Sequence, residues 1–178
     1  MNIHYTCISD TNCFCEGLRN LYFESFPIDE RRPWNDIIFL ASKAGSPYSF
    51  YSISLDDGTL AGMISLWNLS EALYVEHLAI SRQMRNMGIG GKAIDFAIAK
   101  AGTLPTILEV EPAENGEMQR RRINFYNRHG FLLYGDYEYT QPPYTPHGND
   151  VKLKLMSTKT INPDRAKQLL YQIVYNIR

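Results

Sequence analysis

Residues 73–102 read LYVEHLAISRQMRNMGIGGKAIDFAIAKAG, and the rest of the chain is organised around them. The first eight residues of this stretch are apolar and partly β-branched, which predicts a mostly buried strand. Its second half repeats apolar residues at the spacing of one helix face. The start of the helix contains three glycines and is flanked by three basic residues: Gly88, Gly90, Gly91, Arg82, Arg85 and Lys92. Because glycines allow close backbone approach and first-turn amides lack intrahelical partners, the turn predicts an anion-binding site.

A second motif lies downstream, where residues 123–131 read INFYNRHGF. It predicts the end of a helix, with Tyr126 placed four residues before Gly130. The central strand, the Arg-x-x-Gly-x-Gly pattern that begins at Arg85 and the following helix resemble the acetyl-coenzyme A (acetyl-CoA) binding motif of the GNAT acetyltransferase superfamily. The tyrosine motif resembles a second signature of that family, and the resemblance covers roughly residues 3–157.

The resemblance implies an α+β fold of the GNAT type, with a mixed, mostly antiparallel sheet, a central parallel strand pair and flanking helices. The residue pattern agrees with this fold. Asp57-Gly58 predicts a tight hairpin turn before the central strand, and residues 105–112 predict a strand parallel to it. Residues 131–139 and 151–156 predict two further strands, so a GNAT acetyltransferase domain is expected over residues 1–157.

Residues 158–178 predict an extra amphipathic helix. Asn162 caps it, and Pro163 suits its first turn. Its apolar stripe consists of Ala166, Leu169, Leu170, Ile173, Val174 and Ile177. Because such a stripe is costly to leave in water, the helix is expected to dock on its own domain or on a partner subunit. A monomer and a homodimer both fit this pattern.

The expected co-substrate is acetyl-CoA, and no metal is expected because no metal-ligand spacing is present. The resemblance implies that backbone amides of residues 85–91 hold the pyrophosphate and that the main chain of residues 78–80 runs beside the pantetheine arm. The expected coenzyme-binding residues are Leu78, Ala79, Ile80, Arg85, Asn86, Met87, Gly88, Ile89, Gly90, Gly91 and Lys92.

Acyl transfer to an amine requires a group that deprotonates the ammonium and a group that protonates the leaving thiolate. The resemblance implies Tyr126 as the general acid. Glu76 is the preferred general base, because a glutamate on an apolar strand is costly to bury without a role, and Glu109 and Glu111 are its rivals. Strand alternation predicts Tyr74, Glu76, Leu78 and Ile80 on one face and Val75, His77 and Ala79 on the other.

The acceptor is expected to be a primary amine, either of a small molecule or of a peptide or protein. Its groove is expected to be lined by Trp34, Glu76, Glu109, Glu111, Tyr144 and His147. Carboxylates at the floor of that groove favour a cationic acceptor.

Composition sets limits on partners and compartment. The net charge of −1 argues against nucleic acid or an anionic membrane as a partner. Cys7, Cys13 and Cys15 fit neither a disulfide framework nor a zinc site, which favours reduced thiols in a cytoplasm. The start of the chain shows no signal peptide, and no apolar run has the ~20 residues that a membrane helix needs.

Two other functions fit parts of the pattern. Gly88, Gly90 and Ala93 also satisfy a dinucleotide-binding fingerprint, with Glu109 or Glu111 following, which would suit an oxidoreductase. A non-catalytic protein that binds acyl-CoA to regulate or contact a partner is the nearer alternative.

Overall fold

A computed structural model describes residues 2–175 of the chain. Its strands are β1 Ile3–Ile8, β2 Tyr48–Leu55, β3 Leu60–Asn68, β4 Leu73–Ile80, β5 Thr106–Val110, β6 Leu132–Leu133, β7 Tyr139–Gln141 and β8 Val151–Ser157. They form an eight-stranded sheet in the order β1-β2-β3-β4-β5-β8-β6, and β7 pairs with β8 outside that path. All pairs are antiparallel except β4 with β5, which confirms the predicted mixed sheet with one parallel pair.

Five α-helices accompany the sheet: α1 Glu16–Ser25, α2 Trp34–Ser42, α3 Ile89–Ala101, α4 Glu117–Arg128 and α5 Pro163–Leu169. The sheet lies between two apolar cores. The core on one face contains side chains of α1, α2 and the C-terminal segment, and the core on the other face contains side chains of α3 and α4. Gly58, with φ of 83°, supplies the left-handed residue of the predicted hairpin turn between β2 and β3.

The C-terminal segment packs into the first of these cores. Asn162 caps α5 through its side chain, which accepts from the amides of Asp164 and Arg165. After α5 the chain widens into a π-helical segment, Leu170–Tyr175. Across α5 and this segment, five side chains are buried: Ala166, Leu169, Leu170, Val174 and Tyr175. Burial of a leucine or valine is worth about 1.5–3 kcal/mol, so this contact holds the segment firmly on its own chain. Ile177, the last residue of the predicted stripe, lies outside the described residues.

The prediction of one long strand over residues 131–139 is wrong. Only Leu132–Leu133 pairs with β8, and the chain then turns before it resumes pairing at Tyr139. The turn closes with a hydrogen bond from the Tyr137 amide to the Tyr134 carbonyl at 3.3 Å. Gly135 and Asp136 lie between these two residues and favour a turn over an extended strand.

Candidate active site

The site begins where the two parallel strands separate. β4 and β5 are paired only from Leu73–Val75 to Thr106–Leu108, although both strands continue beyond these residues. A cavity of about 990 Å³ opens in the gap, and its lining includes Val75–Ile80 and Leu108–Glu111 from the two strand ends. The glycine turn, α4 and the loop before β8 close its other sides.

A β-bulge at Glu76 determines which backbone amides of β4 point into this gap. The register of β4 against β3 shifts there, because Ser65 pairs with His77 whereas Leu66 pairs with Val75. Beyond the bulge, the His77 amide bonds to Ser65 Oγ at 3.2 Å, on the side of β3. The Ser81 amide also faces β3, where it bonds to the Ala61 carbonyl at 2.9 Å. Because peptide groups alternate along a strand, the amides of Leu78 and Ile80 point the opposite way, into the gap.

The bulge also makes the predicted side-chain faces of β4 wrong. Leu78 and Ile80 pack with Val75 on the α3 face, whereas Tyr74 and Ala79 are part of the core on the other face. A strict period of two holds only in an unbroken strand, and the extra residue reverses the pattern beyond it. His77 is consequently not turned away from Glu76, since its Nδ1 lies 3.4 Å from Glu76 Oε2.

The glycine turn has the backbone geometry that an anion site requires. Asn86 and Gly88 adopt positive φ angles of 63° and 76°, which turn the chain into α3. The first intrahelical bond runs from the Lys92 amide to the Gly88 carbonyl at 3.2 Å, so the amides before Lys92 belong to the unpaired first turn. A Cβ atom placed on Gly90 would lie 3.7 Å from the Phe125 ring, so the protein itself leaves room there.

Most of the residues expected to bind the coenzyme line the cavity. They are Leu78, Ala79, Ile80, Arg85, Asn86, Gly88, Ile89, Gly90, Gly91 and Lys92. Within residues 2–175, Met87 is the expected residue that the lining leaves out, and it is half exposed. Arg85 Nε donates to the Ile80 carbonyl at 3.2 Å, which ties the turn to the end of β4.

His129 is a site residue that the sequence did not indicate. It lines the cavity, and its Nδ1 lies 3.0 Å from Asp95 Oδ1 on α3. A Cβ atom at Gly91 would meet the His129 ring at 3.0 Å, which is tighter than an ordinary contact. Gly91 is therefore needed for the close approach of α3 to the end of α4.

Tyr126 lies on α4 and lines the cavity, where the resemblance had placed it. Its ring packs against those of Phe125 and Phe131, with centroids 5.1 and 5.7 Å apart. Burial raises the pKa of the Tyr126 hydroxyl above its ordinary value, so the hydroxyl holds its proton at neutral pH.

Glu76 forms a buried ion pair with Arg32. Arg32 Nη2 and Nε donate to Glu76 Oε1 at 2.6 and 3.1 Å, and the Tyr144 hydroxyl donates to the same oxygen at 3.1 Å. The side chains of Arg32 and Glu76 are 3% and 0% exposed, so the pair is shielded from solvent. Although burial alone raises the pKa of Glu76, the charges of Arg32 and His77 outweigh it and hold this pKa well below its usual range.

Glu109 sits among tyrosine hydroxyls instead of cations. Tyr74 donates to Glu109 Oε2 at 2.9 Å, Tyr139 donates to Oε1, and Tyr175 lies 2.9 and 2.7 Å from the two oxygens. Burial raises the pKa of Glu109 to about 7, even though the three hydroxyls act to lower it. As a whole residue Glu109 is intermediate in exposure, and it lines the cavity. Its pKa lies where a general base works best at neutral pH.

The remaining expected acceptor residues are scattered. Glu111 lines the cavity and is paired with Arg122 at 3.0 Å, and Tyr144 lines it as well. Within residues 2–175, the lining includes neither Trp34 nor His147. Trp34 packs at the centre of an aromatic cluster, with its ring 5.7 Å from that of Phe14, and His147 is exposed. Neither is placed to contact an acceptor inside the cavity.

Two other expectations concern a metal site and a membrane-spanning helix. No group of three or more His, Cys, Asp or Glu side chains between residues 2 and 175 is arranged to hold a metal ion. Among the helices described, none has the length and apolar character needed to cross a bilayer.

Comparisons with known proteins agree with this geometry. The model of the acetyltransferase (GNAT) family matches residues 15–131. A solved "Putative acetyltransferase from GNAT family" of Bacteroides thetaiotaomicron is 30% identical, with a TM-score of 0.84 over 98% of this chain and 99% of that one. The "Putative acetyltransferase YjbC" of Bacillus subtilis (strain 168) is 29% identical over 107 residues, which are 59% of this chain and 55% of YjbC. The match therefore spans about half the length of that curated relative.

A more distant structural neighbour is a GNAT family acetyltransferase from Elizabethkingia anophelis, solved with acetyl-CoA bound. It is 15% identical, with a TM-score of 0.60 over 89% of this chain and 99% of its own. A likeness at this level of identity shows a shared fold. The family match and the antiparallel strands that precede β4 speak against the dinucleotide-binding alternative.

Proposed function

Because this chain belongs to the acetyltransferase (GNAT) family, we propose that it is an N-acetyltransferase that moves an acetyl group from acetyl-CoA to a primary amine. The observation that carries this proposal is the continuity of one cavity. Its lining includes the glycine turn, the separated ends of β4 and β5, and Glu109. The glycine turn therefore attracts an anionic carrier, and the Glu109 carboxylate attracts a cationic acceptor.

The glycine turn fits the phosphates of acetyl-CoA. The unpaired amides of residues 89–91 and the positive end of the α3 dipole attract an anion, and the open space at Gly90 lets it approach the backbone. Arg85 and His129 add donors at the same end. When bound, acetyl-CoA would supply the acetyl group as a thioester.

Glu109 is the general base in this proposal, in place of Glu76. The carboxylate of Glu76 is fully buried, so the part of this residue that is exposed is its main chain. Its lowered pKa also makes it a weak proton acceptor. Glu109 lines the cavity, and its pKa of about 7 suits removal of a proton from an ammonium group. Glu76 instead fixes Arg32 and Tyr144 around the acceptor end.

Two further groups act on the acyl centre. The Leu78 amide points into the gap and can donate to the carbonyl oxygen as it gains negative charge. Such a donor is worth about 3–4 kcal/mol in other enzymes. The Tyr126 hydroxyl, which is protonated at neutral pH, donates its proton to the leaving thiolate.

The role of Tyr126 predicts a moderate loss of rate on substitution. Tyr126→Phe should lower kcat by about 10²-fold, the lower end of the range for a positioned acid, because burial makes this hydroxyl a weak acid. Affinity for acetyl-CoA should not change. Tyr51→Phe is the matched control, since Tyr51 packs on Phe96 away from the cavity. Equal kcat values for the two variants would remove Tyr126 from the mechanism.

The glycine turn predicts a loss of coenzyme binding. Gly90→Val should abolish acetyl-CoA binding in calorimetry, because a side chain there covers the first-turn amides. The fold should survive, since the added Cβ meets protein atoms only at ordinary distances of 3.7 and 3.8 Å. Ala99→Val, on the exposed end of the same helix, controls for the effect of a β-branched residue in α3. Unchanged affinity in Gly90→Val would contradict the assignment of this turn.

The activity itself is tested by thiol release from acetyl-CoA with a panel of amines. The panel should contain diamines, monoamines, amino acids and peptides with free N-termini, together with uncharged alcohols. We expect release with cationic amines, because Glu109 lines the cavity and can attract an ammonium group. Tight acetyl-CoA binding without thiol release for any acceptor would favour the non-catalytic alternative.

A further inference from the structure

The C-terminal segment contacts Glu109, a residue of the cavity lining, from outside the region that matches the family model, which ends at residue 131. Val174 and Tyr175 are 0% and 5% exposed and belong to the core that also contains side chains of α1 and α2. Arg32 Nη2 donates to the Val174 carbonyl at 3.0 Å, so the ion pair at Glu76 also anchors this segment. The last described turn of the chain is thus part of the wall behind the site.

The hydroxyl of Tyr175 hydrogen-bonds to the carboxylate of Glu109. The hydroxyl oxygen lies 2.9 Å from Oε1 and 2.7 Å from Oε2, so it bridges both oxygens. It also lies 3.3 Å from the hydroxyl of Tyr74, which itself donates to Oε2. The Tyr175 ring packs against those of Tyr144 and Tyr171, with centroids 5.4 and 6.3 Å apart, and these contacts restrict its rotation.

We propose that Tyr175 is a positioning residue for acetyl transfer, which holds the Glu109 carboxylate in its orientation and sets how strongly it binds a proton. This inference rests on the proposed function, in which Glu109 is the base. A hydroxyl stabilises a carboxylate without adding charge, and a cation would suppress its basicity, as Arg32 does for Glu76. The tyrosine thus orients Glu109 and leaves it basic.

Each element that packs around Glu109 carries a titratable group that influences the pKa of its carboxyl group. The groups that face it are Tyr74 and Glu76 from β4, Tyr139 from β7, Tyr144 from the loop before β8, and Tyr171 and Tyr175 from the C-terminal segment. The tyrosines stay neutral because burial raises their pKa values. Glu76 stays ionised because its pKa is low. Tyr175→Phe therefore removes one donor and changes no charge.

The test follows the protonation of Glu109 by two independent readouts. Carbon-13 NMR titration of the glutamate side-chain carboxyls, assigned with Glu109→Gln, reports it in the absence of any substrate. The pH profile of kcat reports it during turnover. In Tyr175→Phe, the midpoint of Glu109 and the acidic limb of kcat should both move up by about one pH unit, since a hydrogen bond to a charged group has been lost.

Tyr171→Phe is the matched control, because the Tyr171 hydroxyl donates to the Thr140 carbonyl and makes no hydrogen bond to Glu109. It should titrate like the wild type. If the midpoint of Glu109 is the same in the wild type and in Tyr175→Phe, the proposal is overturned.

The two readouts separate this proposal from the proposed function. A raised NMR midpoint with an unmoved kcat profile would mean that Tyr175 tunes Glu109 but that Glu109 is not the base, and the positioning role in catalysis would then be overturned. An unmoved midpoint together with an inactive Glu109→Gln variant would leave the base assignment standing and remove Tyr175 alone.

Discussion

Glu109→Gln is expected to lower kcat by about 10²–10⁴-fold, the range found for a positioned general base. Glutamine keeps the shape of the side chain and can still accept from the surrounding tyrosines, but it cannot take a proton. Because the pKa of Glu109 is about 7, wild-type kcat should fall as the pH drops below about 7 and the carboxylate becomes protonated. In Glu109→Gln this acidic limb should disappear from the profile.

Three other variants make this test specific. Glu138→Gln is the matched control, since Glu138 is 92% exposed and lies at the surface pair with Lys154. Glu76→Gln and Glu111→Gln test the two rival carboxylates and should both retain the acidic limb. If Glu76→Gln loses the limb and Glu109→Gln keeps it, the base is the residue that the sequence favoured.

The parts of the fold that the sequence predicted are those with a local signal. The central strand, the glycine turn and α3 follow one another within residues 73–102. Each is marked by its own hydrophobic periodicity or by its glycines. The hairpin at Asp57-Gly58 and the cap at Asn162 are equally local. In each case the residues that determine the conformation lie within a few positions of one another.

The errors at the site come from contacts that are distant in sequence. The bulge at Glu76 depends on the register of β4 against β3, and nothing within β4 signals it. Arg32 and Glu76 are 44 residues apart, and Tyr175 and Glu109 are 66 apart. Arginines are mostly exposed, and a tyrosine beside an apolar stripe gives no indication of a partner 66 residues away. A single sequence carries no signal for either pairing.

The two buried carboxylates show how similar groups acquire different roles. Glu76 accepts from a guanidinium and is held as a permanent anion, which suits a structural anchor. Glu109 accepts from neutral hydroxyls and titrates at about 7, which suits proton transfer. The residue type is the same in both cases. The charge of the donors decides between the two roles, and these donors come from other parts of the chain.

The anchor role of Glu76 predicts the largest effect on stability. Arg32→Ala should lower the free energy of unfolding by about 3–5 kcal/mol, because it leaves the Glu76 carboxylate buried without a counter-charge. It also removes the donor to the Val174 carbonyl and the stacking of the guanidinium over Tyr144, whose ring centroid lies 4.7 Å away. Urea denaturation at pH 7 measures the change.

Two further variants show whether the unpaired charge is the cause. Arg165→Ala breaks an ion pair of the same type with Glu71, in which both side chains are about half exposed, and it should leave the urea midpoint unchanged. The double variant Arg32→Met with Glu76→Leu removes both charges and should recover most of the lost stability, because a buried pair can often be replaced by apolar residues of similar volume. Recovery of stability would show that the loss of stability in Arg32→Ala comes from the unpaired, buried carboxylate of Glu76. A double variant as unstable as Arg32→Ala would instead assign the loss to the contacts of Arg32 with the C-terminal segment and Tyr144.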